Sequence, residues 1–187
     1  MRIISGNLKG KKILEPKDIQ TRPLKDLTKE SIFNIIVHSN KFNIQLENSI
    51  VLDLFSGTGS FGLECLSRGS KLITFVENYK KILPILKKNI VNLNCEKKSK
   101  IIEKDINNSL SFKIIQNQFD VIFLDPPYKE KKLLKMLESI FQSNLLKDKG
   151  IIIIHRHKKE ADEFPEKFNI IEEKSYGISK VIFGNFI

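Results

Sequence analysis

From residue 50 onward the chain alternates short strand-like runs with helical patterns, and that alternation leaves few folds open. The runs are Ile50–Leu54, Leu72–Val76, Lys100–Glu103, Val121–Leu124 and Ile151–Ile154. Between them, helical patterns fall at Ser60–Ser67, Tyr79–Leu93, Ser109–Ile115 and Lys131–Phe141, with Pro84 expected to bend the second. Strands that are apolar along both faces and linked through helices form a parallel sheet covered on both sides. Two further strand patterns, Asn169–Lys174 and Ser179–Phe186, flank Tyr176-Gly177 and leave no room for a crossover helix. They are expected to form an antiparallel hairpin at the sheet edge. The class is therefore α/β, with a mostly parallel sheet of seven strands.

Ahead of this body, Arg2–Ser5 and Lys11–Leu14 read as two extended pieces joined through Gly6-Asn7-Leu8-Lys9-Gly10, a short β-hairpin. Arg22-Pro23 breaks the chain before a helix that starts near Asp26 or Thr28 and buries Ile32, Phe33, Ile35 and Ile36. A polar connection over Asn40–Asn48 leads into the first strand of the body.

A length of 187 residues suits one domain with a small extension. The longest apolar runs, such as Ile151–Ile154, are too short to span a bilayer, and Met1–Gly6 lacks the pattern of a signal peptide. No membrane association and a cytoplasmic location are expected. Cys65 and Cys95 sit in apolar helical patterns and read as small buried side chains, not a disulfide framework. His155 and His157 share a strand face, but no third ligand accompanies them, so no metal is expected. The net charge of +10 suits a polyanionic partner. It equally suits a genome rich in A and T, because only four of the 32 basic residues are arginine.

The first strand of the body runs into Asp53-Leu54-Phe55-Ser56-Gly57-Thr58-Gly59-Ser60-Phe61-Gly62. Such glycines let a chain turn sharply and present its backbone to a ligand at the next helix N-terminus. Gly57, Gly59 and Gly62 match GxGxxG, and Glu77 follows at the end of the next strand, so the glycines alone also fit a dinucleotide. Asp53 shifts the balance. A carboxylate there suits a cationic amino group and repels a pyrophosphate. Glu77 suits a ribose diol, and Asp105 an adenine amino group.

The fourth strand of the body ends in Asp125-Pro126-Pro127-Tyr128, at the sheet end where ligands of open α/β folds bind. An exocyclic amine on a nucleobase is a poor nucleophile, because its lone pair is delocalised into the ring. Asp125 and the Pro126 carbonyl can accept its two hydrogens and favour the localised lone pair. Pro127 helps stiffen the loop, and Tyr128 can stack on the base. Together the two ends of the sheet suit methyl transfer from a sulfonium to a base amino group.

DLFSGTGSFGLECLSRG (53–69), Val76-Glu77 and Asp125–Tyr128 together resemble the RsmD-type 16S ribosomal RNA guanine-N2 methyltransferases. The opening segment is the more specific part. RIISGNLKGKKI (2–13) and TRPLKDLTKESIFNII (21–36) are similar to that family's RIIGG-x-x-x-G-x-x-L and RPT-x-D-x-V-R-E-x-x-F-N. The chain departs from the family at Ser5 (usually glycine), Leu24 (threonine), Lys29 (arginine) and His155-Arg156, where relatives often carry an acidic residue.

The resemblance implies a Rossmann-like class I methyltransferase fold using S-adenosyl-L-methionine. It implies a hairpin-and-helix extension over residues 1–45, for RNA and cofactor contacts, and a methyltransferase domain over 46–187. The expected substrate is 16S ribosomal RNA, in the small subunit or an assembly intermediate, and the expected state is a monomer. The catalytic set is Asp125, Pro126, Pro127 and Tyr128. The cofactor set is Asp53, Phe55, Gly57, Thr58, Gly59, Glu77, Asn78, Asp105 and Ile106. Substrate contacts are assigned to Arg22, Tyr128, Lys9 and Lys11, and the family further implies that Glu30 and Asn34 lie near cofactor or substrate.

Other functions remain open at this level. An adenine-N6 methyltransferase acting on DNA or RNA shares the chemistry, but a DNA enzyme would normally need an added recognition region. A protein-amide methyltransferase more typically carries asparagine at the Asp125 position. A nicotinamide oxidoreductase leaves Asp125–Tyr128 without a task. A non-catalytic RNA-binding assembly factor would be free to lose Asp53, Gly57, Gly59, Asp125 and Tyr128.

Overall fold

The computed structural model describes residues 1–16, 24–106, 109–127 and 132–187. Its centre is a seven-stranded sheet built from β1 (Ile50–Leu54), β2 (Leu72–Val76), β3 (Ser99–Ile102), β4 (Phe119–Leu124), β5 (Leu146–His157), β6 (Phe168–Tyr176) and β7 (Ser179–Phe186). The spatial order is β3-β2-β1-β4-β5-β7-β6. The first five strands are parallel, and β7 enters antiparallel between β5 and β6. The terminal hairpin thus closes one edge, with β6 outermost.

Strand faces follow the pleat. Val51, Ile73, Phe75, Val121, Phe123, Ile151, Ile153, Val181 and Phe183 feed one core, while Leu52, Leu54, Val76, Ile122, Leu124, Ile152, Ile154 and Ile182 feed the other. The first core is covered by α1 (Asp26–His38), α2 (Ser60–Ser67) and α3 (Leu83–Asn92), the second by α4 (Leu133–Gln142) and a 3₁₀ segment, Ser109–Ile114. Among the described residues, no helix is long and apolar enough to cross a membrane.

Two local expectations change. Pro84 does not bend a helix over Tyr79–Leu93. It stands in the first turn of α3, where its missing N–H leaves no intrahelical bond unmade. The fifth strand begins at Leu146, earlier than its apolar stretch, because polar residues 147–149 continue the extended backbone on an exposed flank. The N-terminal hairpin forms around the antiparallel bridge Arg2–Lys12, with the Ile3 N–H donating to the Lys11 carbonyl at 2.9 Å, Gly10 N–H to the Ile3 carbonyl at 2.9 Å and Ile13 N–H to the Met1 carbonyl at 3.1 Å. Its turn docks on α2, with Asn7 and Leu8 N–H donating to the Ser67 carbonyl and hydroxyl at 2.8 and 3.0 Å. Ile3, Ile13, Ile32, Phe33 and Ile36 share the first core with Phe61 and Phe123, so the opening segment packs on the sheet-bound layer. Ile35 is only partly buried. Cys65 and Cys95 are free and buried, and burial raises both thiols above their ordinary range.

Candidate active site

Parallel register sets the site. Leu54 of β1 pairs with Val76 on one side and Leu124 on the other, so the three loops leaving these strands emerge side by side. One carries the glycines, one Glu77, and one Asp125. The β1 loop opens with Phe55 at φ 60°, an uncommon conformation for a side chain with a Cβ, and returns to the helix through Gly59 at φ 80°. Backbone strain at a strand's carboxyl end marks the loop as shaped for contact.

Glu77 braces that loop. One carboxylate oxygen accepts the Gly57 N–H at 2.8 Å, and the other accepts Asn78 and Tyr79 N–H groups at 2.9 and 2.8 Å. Three of roughly four acceptor positions are therefore taken by backbone, which leaves one at the Gly57-bound oxygen for a ligand hydroxyl. Asp53, buried at the end of β1, accepts the Gly62 N–H at 3.0 Å. Burial raises its carboxyl well above the ordinary range. The Gly62 hydrogen bond opposes this rise, while the nearby charges of Asp125 and Glu77 reinforce it. Three carboxyl groups thus crowd one end of the sheet, a field that a cationic ligand would relieve. These acceptors fit a cofactor bearing a positive charge and a sugar hydroxyl.

Thr58 and Ile106 are buried against this end, Gly57 is partly buried, and Asn78 and Asp105 are exposed around it. Asn89 of α3 fixes the loop from behind. Its amide donates to the Thr58 carbonyl at 3.0 Å, and it exchanges two hydrogen bonds with the Leu14 backbone.

On the facing strand, Asp125 follows β4, and its N–H continues the ladder to the Leu54 carbonyl at 3.3 Å. Pro126 is buried and Pro127 exposed. Tyr128 and Arg22 lie outside the described residues. The structure does not bring Lys9 and Lys11 to the glycine loop. Their turn docks at Ser67, the far end of α2, about 12 Å along an eight-residue helix from Ser60. Glu30 and Asn34 are exposed on α1, while Lys29, just before Glu30, points inward to donate to the Ser60 hydroxyl at 3.1 Å.

Several residues here escape sequence reasoning. Glu64, completely buried in α2, accepts the N–H groups of Ile4 and Ser5 at 2.8 and 3.0 Å and pairs with Arg68 at 2.9 Å. His155 Nδ1 lies 2.7 Å from an Asp125 oxygen, and Arg156 donates to the Pro127 carbonyl at 3.3 Å and to Asp162 at 2.9 Å. The break in the family pattern signalled both, and His155 also stood out beside His157 on one strand face. His155 therefore faces a carboxylate, and the described residues contain no cluster of three candidate metal ligands.

Comparison with known proteins agrees with this geometry. The family model described as conserved hypothetical protein 95 matches residues 1–185. A Haemophilus influenzae protein named ribosomal RNA small subunit methyltransferase D is 35% identical, over 95% of this chain and 90% of its own. A protein of the same name from Buchnera aphidicola is 32% identical, over 92% and 86%. A solved methylase structure from Haemophilus influenzae, 32% identical, superposes with a TM-score of 0.72 over 98% of this chain and 96% of that one. An Escherichia coli methyltransferase structure shares the fold at a TM-score of 0.80 and 22% identity, covering 100% and 97%. The chain is a methyltransferase and belongs to the conserved hypothetical protein 95 family, the RsmD-type enzymes that its opening segment and its Asp125–Tyr128 motif resemble.

Proposed function

We propose that this enzyme transfers a methyl group from S-adenosyl-L-methionine to the exocyclic N2 amino group of a guanine in 16S ribosomal RNA. The observation that carries the reading is the convergence of Asp53, Glu77 and Asp125 at the carboxyl ends of three adjacent parallel strands. In this reading one carboxylate serves the cofactor's cationic end, one its sugar, and one the base. The names of the Haemophilus and Buchnera relatives support ribosomal RNA as the substrate class.

When bound, the cofactor supplies an electrophilic methyl carbon. The protein supplies position. Asp53 offers its charge to the methionine ammonium, and Glu77 its remaining acceptor position to a ribose hydroxyl. Phe55, Gly57, Thr58 and Gly59 shape the backbone around the donor. Asn78, Asp105 and Ile106 border the adenine. Asp125 and the Pro126 carbonyl accept the two hydrogens of the amine, Pro127 keeps the loop rigid, and Tyr128 stacks on the base. Correct placement of two reactants is worth about 7–11 kcal/mol of the barrier. Arg22, Lys9 and Lys11 would hold the RNA backbone, and residues 1–45 form the RNA-contacting extension. The proposed partner is the small subunit or an assembly intermediate, met by a cytoplasmic monomer.

The test is methyl transfer from labelled cofactor to unmethylated small-subunit particles, naked ribosomal RNA and duplex DNA, followed by digestion and mass spectrometry of nucleosides. N2-methylguanosine is expected from the particle or its RNA. N6-methyladenosine or its deoxy form would replace the assigned base while leaving the mechanism. No transfer to any of the three would remove the nucleic-acid assignment.

A further inference from the structure

The loop that carries Asp125 is gripped by two consecutive residues of the neighbouring strand. The register Leu124 with Ile154 puts His155 beside Asp125, where β4 ends and β5 continues to His157. Successive strand residues point to opposite faces, yet both His155 and Arg156 reach back to this loop. His155 Nδ1 contacts an Asp125 oxygen at 2.7 Å, with the histidine side chain 8% and the aspartate 20% exposed. Arg156, buried, donates to the Pro127 carbonyl, and Asp162 holds Arg156 in turn at 2.9 Å. Lys180 of β7 closes the set, 3.1 Å from the second Asp162 oxygen.

Asp125 needs such a grip. It shares its sheet end with Asp53, whose buried carboxyl it repels. A side chain set against a like charge turns away unless a donor holds it. A carboxylate oxygen only accepts, so the 2.7 Å contact places a proton on Nδ1 and fixes one oxygen of Asp125. The other oxygen is left for a substrate N–H.

We propose that His155 is a positioning residue: it orients the Asp125 carboxylate toward the amine to be methylated, while Arg156 and Asp162 hold the following prolines in register. The inference deepens the base-methylation reading and rests on it.

The test compares wild-type enzyme with His155→Asn and His155→Leu in the particle assay. Asparagine keeps a donor near the Nδ1 position, whereas leucine keeps only bulk. His155→Leu is expected to lower kcat about 100-fold, the scale of a misplaced reacting group. KM for the particle and cofactor affinity stay unchanged, and His155→Asn recovers most of the rate. Equal kcat in wild type and His155→Leu would overturn the proposal, as would an asparagine variant no better than leucine. A second readout is independent of turnover and of whether the leucine variant folds. A downfield Nδ1–H proton resonance is expected in wild type and should vanish in Asp125→Ala. Absence of that resonance in wild type overturns the positioning role. Its presence in a wild type that methylates no RNA supports the His155–Asp125 assignment and removes the RNA reading instead.

Discussion

The Lys29 ammonium lies 3.8 Å from a Glu64 oxygen, with both side chains completely shielded from solvent. Burial pushes Lys29 below the ordinary lysine range, while Glu64 and Asp26 pull it back. The same ammonium donates to the Arg2 carbonyl at 2.8 Å, and Glu64 receives the Ile4 and Ser5 N–H groups, so one ion pair ties α1 and the opening segment to α2. Replacing Glu64 by alanine leaves the buried ammonium with only Asp26 as a counter-charge and orphans two backbone donors. Urea unfolding should report a loss of about 3–5 kcal/mol. Lys29→Arg keeps the charge and should cost far less. Similar midpoints for the two variants would remove the ion pair from the stability account.

Asp53 ties stability to pH. Because its carboxyl is raised well above 3.8 in the fold, the native state holds its proton where the unfolded chain has lost it. The associated stability is present at low pH and declines as pH rises from the ordinary aspartate value toward the raised one. Asp53→Asn should flatten that part of the urea midpoint–pH curve. A cation placed beside Asp53 favours the carboxylate, so cofactor binding should expel a proton over the same interval. Calorimetry in buffers of different ionisation enthalpy reads this directly; identical heats in all buffers would exclude the contact.

Gly62 is required by packing. A Cβ there would stand 2.4 Å from Phe75 Cε1 and 2.7 Å from Ile73 Cγ2, both in the buried layer under α2. Gly62→Ala should force the helix away from β2 and cost about 1–3 kcal/mol. Since the glycine loop enters this helix, cofactor affinity should weaken too, measured by titration of the folded variant. Unchanged stability would mean the layer yields more easily than its packing implies.

On the proposed role of Asp125 toward the base amine, Asp125→Ala should abolish methylation while leaving cofactor affinity intact. Single-turnover transfer and equilibrium binding on the same preparation separate the two. Normal turnover would sink the role assigned to this carboxylate.

The sheet was legible in advance because each strand's apolar run and each helix's spacing are local signals. The glycine loop and Asp125–Pro127 were legible for the same reason. Glu64 was not. In sequence it reads as the solvated position of a short helix, and its backbone partners Ile4 and Ser5 lie about sixty residues earlier. Asn89 looks like an ordinary polar helix residue, yet it hydrogen-bonds Leu14 across 75 positions. The opening hairpin was legible from its two extended pieces and the glycines between them, but its docking on α2 was not, because Ser67 lies about sixty residues from Asn7 and Leu8. Pro84 misled because a proline inside a periodic pattern can mark either a bend or a start.

The place of β7 between β5 and β6 carries a consequence for biosynthesis. A chain emerging amino end first can pair β1 to β5 early, but β5 keeps an open flank until Ser179–Phe186 has been made. His155 and Arg156 sit on that flank, paired to Val181 and Lys180. The grip on the substrate loop is therefore among the last features to set. A nascent enzyme would stay idle beside the ribosome that makes it until that stretch has paired with β5, bringing β6 onto the sheet with it.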